Sequence, residues 1–76
     1  MHSWTIRFIN DGTYDGFQLH DIITSEVSRL QSQGFKVGRD ERTYWRYSVQ
    51  HNNRHAMMLY RLSARAGLAL EVDDVV

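Results

Sequence analysis

Hydrophobic and polar positions along the chain change period five times, and each change marks an element. "SWTIRFI" (3–9) alternates Trp4, Ile6 and Phe8 against Thr5, Arg7 and Ile9, the two-residue period of a half-buried strand. "NDGTYDG" (10–16) is dense in residues that accept turn conformations and reads as a loop. "FQLHDIITSEVSRLQSQG" then places Leu19, Ile22, Ile23, Val27 and Leu30 at helical spacing, with Gly34 where a helix stop is expected. "FKVGRDERTYWRYSVQ" predicts two strands joined by a turn at Gly38 to Glu41. Phe35 and Val37 share a face of the first strand, and Trp45, Tyr47 and Val49 share a face of the second. A second helix is predicted from Asn52 or Asn53, both good N-caps, to Ala66, with Gly67 as its stop. "LALEV" (68–72) alternates again, as a last strand.

The resulting order is β-α-β-β-α-β. Right-handed crossovers and one antiparallel hairpin make the simplest topology a ferredoxin-like α+β two-layer sandwich, a four-stranded antiparallel sheet with both helices on one face. Strands 1 and 3 are then central, and they carry the largest apolar sets. Trp45 and Tyr47 are expected to face the helices. Thr5, Arg7, Ile9, Tyr44, Arg46, Ser48 and Gln50 are left for the open sheet face, flanked by Lys36, Ala69 and Glu71.

At 76 residues the chain is read as a single small domain, residues 1–76. A chain of this size buries only about 60% of its unfolded surface, so its core is small. It has no cysteine, which excludes disulfides and thiolate metal sites. Oligomerisation is the remaining common supplement to such a core, and a homodimer is expected. No stretch has the length and composition of a signal peptide or membrane span, so a cytoplasmic location is expected, with no membrane partner.

The formal net charge of zero conceals a patchwork. Residues 29–65 carry Arg29, Lys36, Arg39, Arg42, Arg46, Arg54, Arg61 and Arg65 against Asp40 and Glu41, a net +6. Residues 1–28 and 66–76 each carry −3. On the second helix, Arg54, Arg61 and Arg65 fall within about 40° of arc at 100° per residue. Leu59, Leu62, Ala66 and His55 fall on another side, with Met58 at its border; His55 is read as a core-edge residue. An arginine stripe with a single lysine in the whole chain suits bidentate recognition of carboxylate or phosphate, and it is equally what a solvated helix face looks like.

Candidate chemistry narrows the picture little. No nucleophile elbow, phosphate loop or catalytic set emerges, and the loop after strand 1 is acidic, so no enzyme and no cofactor are expected. His51 and His55 stand four apart, but His51 precedes the predicted helix and no further ligand is near in sequence, so no metal is expected. Glu26 falls at the centre of the first helix's apolar stripe. A carboxylate there must reach solvent or an arginine, or find a partner within the fold or across a dimer.

Two readings follow. The first is a non-enzymatic regulator or inhibitor that dimerises or docks onto an acidic protein partner through Arg7, Tyr44, Arg46, Arg54, Arg61 and Arg65. The second is an RNA- or single-strand-binding module using the open sheet face or the arginine stripe. Net neutrality weakens the field that would capture a polyanion. Ligand sensing by a small regulatory domain of the same topology stands behind both.

Overall fold

The computed structural model describes residues 1–39, 45–65 and 67–75. Its elements are β1 (His2–Asn10), α1 (Gly16–Ser32), β2 (Lys36–Arg39), β3 (Arg46–His51), α2 (Ala56–Leu62) and β4 (Leu68–Val75). The four strands form one sheet in the order β2-β3-β1-β4, every neighbouring pair antiparallel. This is the ferredoxin-like βαββαβ sandwich. β1 and β3 are central, and their registers place Trp4 opposite Val49 and Ile6 opposite Tyr47. Trp4, Ile6, Phe8, Tyr47 and Val49 are buried beneath Ile22, Ile23, Leu30, Met57 and Tyr60 of the helices.

Local sequence accounts for most boundaries. Asp15 caps α1 by accepting from Gln18 N–H at 2.8 Å, while Gln18 Oε1 accepts from Asp15 N–H at 3.0 Å. This reciprocal capping box satisfies two donors at the start of α1. The helix ends in a Schellman arrangement: Phe35 N–H donates to Leu30 O at 3.1 Å and Gly34 N–H to Gln31 O at 3.0 Å. Gly34 adopts φ +95°, and its absent Cβ leaves room for the His51 ring.

Four expectations are corrected. Gly38 and Arg39 are not turn residues but pair with Ser48 and Tyr47 in the β2–β3 ladder; Asp40 and Glu41, the rest of the predicted turn, lie outside the described residues. α2 begins at Ala56, not at Asn52 or Asn53. The Asn53 side chain accepts from His55 N–H at 2.9 Å, its carbonyl accepts from Ala56 N–H, and its own N–H donates to His51 Nδ1. These bonds hold residues 51–56 in a turn that competes with the helix. The helix also stops at Leu62, short of Ala66, and Gly67 (φ +86°) turns the chain into β4 instead.

Trp45 is the third correction. It shares Tyr47's parity, yet it is 45% exposed whereas Tyr47 is buried. It precedes β3 at the end of the sheet, where its carbonyl accepts from Phe8 N–H at 3.0 Å and its ring borders a hollow shared with Ile9 and Leu19. Parity points a side chain toward the helical layer, but the layer must extend that far to cover it. The fourth concerns the rotation of α2.

A candidate interaction surface

α2 buries Ala56, Met57 and Tyr60 and exposes Met58, Leu59 and Leu62, the last at 80%. The side expected to carry the buried leucines faces outward, and His55 is exposed rather than at the core edge. The cause lies on α1. Glu26, on the apolar stripe of α1, is buried rather than open to solvent, and its Oε2 accepts from the Tyr60 hydroxyl at 2.7 Å and from Arg29 Nη2 at 2.8 Å. A buried carboxylate without donors is costly, so the phenol that satisfies it sets the phase of α2. With Tyr60 inward, the side opposite it, Met58, Leu59 and Leu62, spans about 100° of outer arc.

Arg29 completes the clamp. Its Nη1 donates to Ser63 O at 2.7 Å and its guanidinium stacks over the Tyr60 ring at 5.0 Å, tying the end of α2 to α1. Burial opposes its charge, but the Glu26 carboxylate and then Tyr60 outweigh this and hold its pKa above the ordinary value. Arg29 Nε is buried without a hydrogen-bond partner among the described residues. Burial, and next the adjacent Glu26, push the Tyr60 phenol well above its usual range. Glu26 is thus paired within the fold.

The predicted site residues separate into two groups. Arg54, Arg61 and Arg65 are all exposed, but only Arg61 lies on α2; Arg54 precedes the helix and Arg65 follows it. Arg54 and Arg61 flank a groove of about 470 Å³ between α2 and β4, floored by Trp4, Met57 and Val72 and walled by Met58, Leu62 and Asp74. Arg65 Nε lies 4.0 Å from Glu26 Oε1, on the far end of the helix. The groove's apolar walls and Asp74 escaped the sequence reading. The signal that could have found them is Glu26 itself: it requires a donor, and Tyr60 is a donor on the opposing helix.

The second group occupies the open sheet face. Arg7 stands directly opposite Arg46 across β1–β3 and opposite Glu71 across β1–β4. Arg7 Nη2 and Glu71 Oε2 pair at 2.8 Å, and Asp73 and Thr5 border the same shallow hollow as Arg46. Arg7, which faces Arg46 at a cross-strand position, is thus matched by a carboxylate of β4. Tyr44 lies outside the described residues.

Two further polar clusters brace the backbone. His51 Nδ1 accepts from Asn53 N–H at 2.9 Å, which assigns the proton to Nε2 and makes it the donor to Gln33 O at 3.0 Å. Nε2 thus joins β3 to the end of α1, and Nδ1 holds the turn that follows β3. In the first loop, the Thr13 hydroxyl and then its N–H donate to Asp11 and lower that carboxyl below its usual range. Among the described residues, no three His, Cys, Asp or Glu side chains are grouped to hold a metal ion. No helix among them is long and apolar enough to cross a membrane. Comparison of the chain with family models, with curated proteins and with solved structures finds no match to any of them.

Proposed function

We propose that this chain is a small non-enzymatic interaction module that docks an acidic protein partner on the outer side of α2. The observation that carries the reading is the helix's rotation: Met58, Leu59 and Leu62 are 57%, 58% and 80% exposed on one short helix, bordered by Arg54 and Arg61. Three large apolar side chains on contiguous turns are an unusual exposure for a domain with so small a core. An apolar centre with an arginine rim is the composition of a protein interface. Arginine also favours a carboxylate-bearing partner through its planar fork of donors.

Nucleic-acid binding draws less support. On the open face Arg7 is paired with Glu71 and Arg46 shares a hollow with Glu71 and Asp73, which diminishes the attraction for a phosphate chain.

The test is affinity capture with wild type, with Arg54→Glu/Arg61→Glu and with Leu62→Asp, followed by measurement of each captured protein's binding in purified form. The expected result is an acidic partner whose binding is lost in both variants while far-UV circular dichroism is unchanged. Equal binding by all three proteins would overturn the reading. Retention on a single-stranded oligonucleotide, falling steeply between low and physiological salt, would replace it with the nucleic-acid one.

A further inference from the structure

The two edges of the sheet carry opposite charge. β4, the longer edge, is Leu68–Val75 and bears Glu71, Asp73 and Asp74; β2, the other edge, is Lys36–Arg39 and bears a cation at each end. Sheet edges expose unpaired backbone donors and acceptors, and natural edges are commonly guarded by proline, bulges or charge. This chain has no proline, so charge is the guard here, and it guards selectively.

A two-fold β4–β4 contact would bring Asp73 and Asp74 near their copies, with Glu71 offset by Arg7, and a β2–β2 contact would bring Lys36 and Arg39 near theirs. Only β4 against β2 is attractive. Strand direction permits that pairing without any rearrangement. β4 and β2 are each antiparallel to a central strand, and the two central strands are antiparallel to each other, so β4 and β2 run in opposite directions. A second copy displaced across the sheet, helices on the same side, therefore brings its β2 antiparallel to β4.

We infer that β4 is a self-association edge whose occupant is β2 of a second copy of this chain. One register matches both faces at once. Lys36 of the incoming copy stands opposite Asp73 on the open face, and Val37 stands opposite Val72 on the helical side. Side-chain parity agrees: Lys36 and Asp73 are exposed, and Val37 and Val72 are half-buried residues packed against the core. The contact is heterologous. Each added copy presents a fresh β4, so growth is open-ended rather than closed at a dimer.

This edge adjoins the groove beside α2, with which it shares Val72 and Asp74, but the pairing it makes is tested by Lys36 and Asp73, which lie outside that groove. The experiment is sedimentation equilibrium across a concentration series at low and at high salt. Wild type, Lys36→Glu, Asp73→Lys and the double variant Lys36→Glu/Asp73→Lys are compared, with circular dichroism as the check on folding. The expected wild-type result is an average mass that climbs with concentration past that of a dimer and falls on adding salt. Each single reversal should move the onset about tenfold higher in concentration, and the double reversal should restore it. A wild-type monomer up to about 1 mM at low salt would overturn the inference, as would a closed dimer or a double variant no better than the singles. The double variant keeps the test decisive if one single reversal fails to fold.

Discussion

The hydroxyl of Tyr60 donates to the buried carboxylate of Glu26 at 2.7 Å, across the contact between α2 and α1. Tyr60→Phe removes this donor and leaves Glu26 hydrogen-bonded to Arg29, with Arg65 at 4.0 Å. The expected cost is about 1–3 kcal/mol in urea unfolding. Glu26→Leu added to Tyr60→Phe should recover part of the loss, because two apolar groups no longer leave a buried acceptor unpaired. A strictly additive pair would show that the two side chains are not energetically coupled.

The same phenol predicts an alkaline instability. Its native pKa is raised by burial and by Glu26, so above about pH 10 the unfolded chain releases the Tyr60 proton while the folded chain keeps it. The unfolded state then binds fewer protons, and stability falls as pH rises. Tyr60's contribution is fully present below about pH 10 and is lost toward its higher native value. Wild type should lose stability more steeply than Tyr60→Phe when unfolding is followed from pH 9 to 11; parallel profiles would contradict this.

The outward phase of α2 makes a contrast in stability. Leu62→Lys and Leu59→Lys should change it by no more than about 0.5 kcal/mol, the range of surface substitutions. Met57→Ala, one position from exposed Met58, should cost about 2–5 kcal/mol. Large losses at Leu59 or Leu62 in thermal unfolding would mean the leucine side faces the core.

Two glycines should respond with opposite sign. Gly34→Ala forces a side chain onto φ +95° and brings Cβ to 3.0 Å from His51 Nε2, so it should destabilise by at least about 1 kcal/mol. Gly16 begins α1 with open space around it, and Gly16→Ala should stabilise by about 0.4–1 kcal/mol. Chemical denaturation of the two variants side by side checks both.

The strands were legible because alternation is a local property. Trp4, Ile6 and Phe8 need only the two-residue repeat to be assigned to one face, and the sheet order follows from how the crossovers must close. Gly34 and the Asp15–Gln18 capping box were local too, although the box passed unnoticed within the first loop. Trp45 was misplaced because parity gives a direction and not the extent of the layer above. Among the candidate site residues, the charges of Arg54, Arg61 and Arg65 could be listed from the chain. The departure of Arg65 at the early end of α2 could not, since Arg29 holds the Ser63 carbonyl there from another helix.

The alternation of apolar and polar residues by itself determined the order of elements, the faces of the central strands and the place of Glu26 on the apolar stripe of α1. Tertiary structure alone decided which side of α2 meets the core. Six of its seven residues, Ala56–Tyr60 and Leu62, are apolar or aromatic, so hydrophobicity has almost no preferred direction around it. What selects the direction is a carboxylate on α1 that must find a donor, and that requirement exists only once the two helices are brought together.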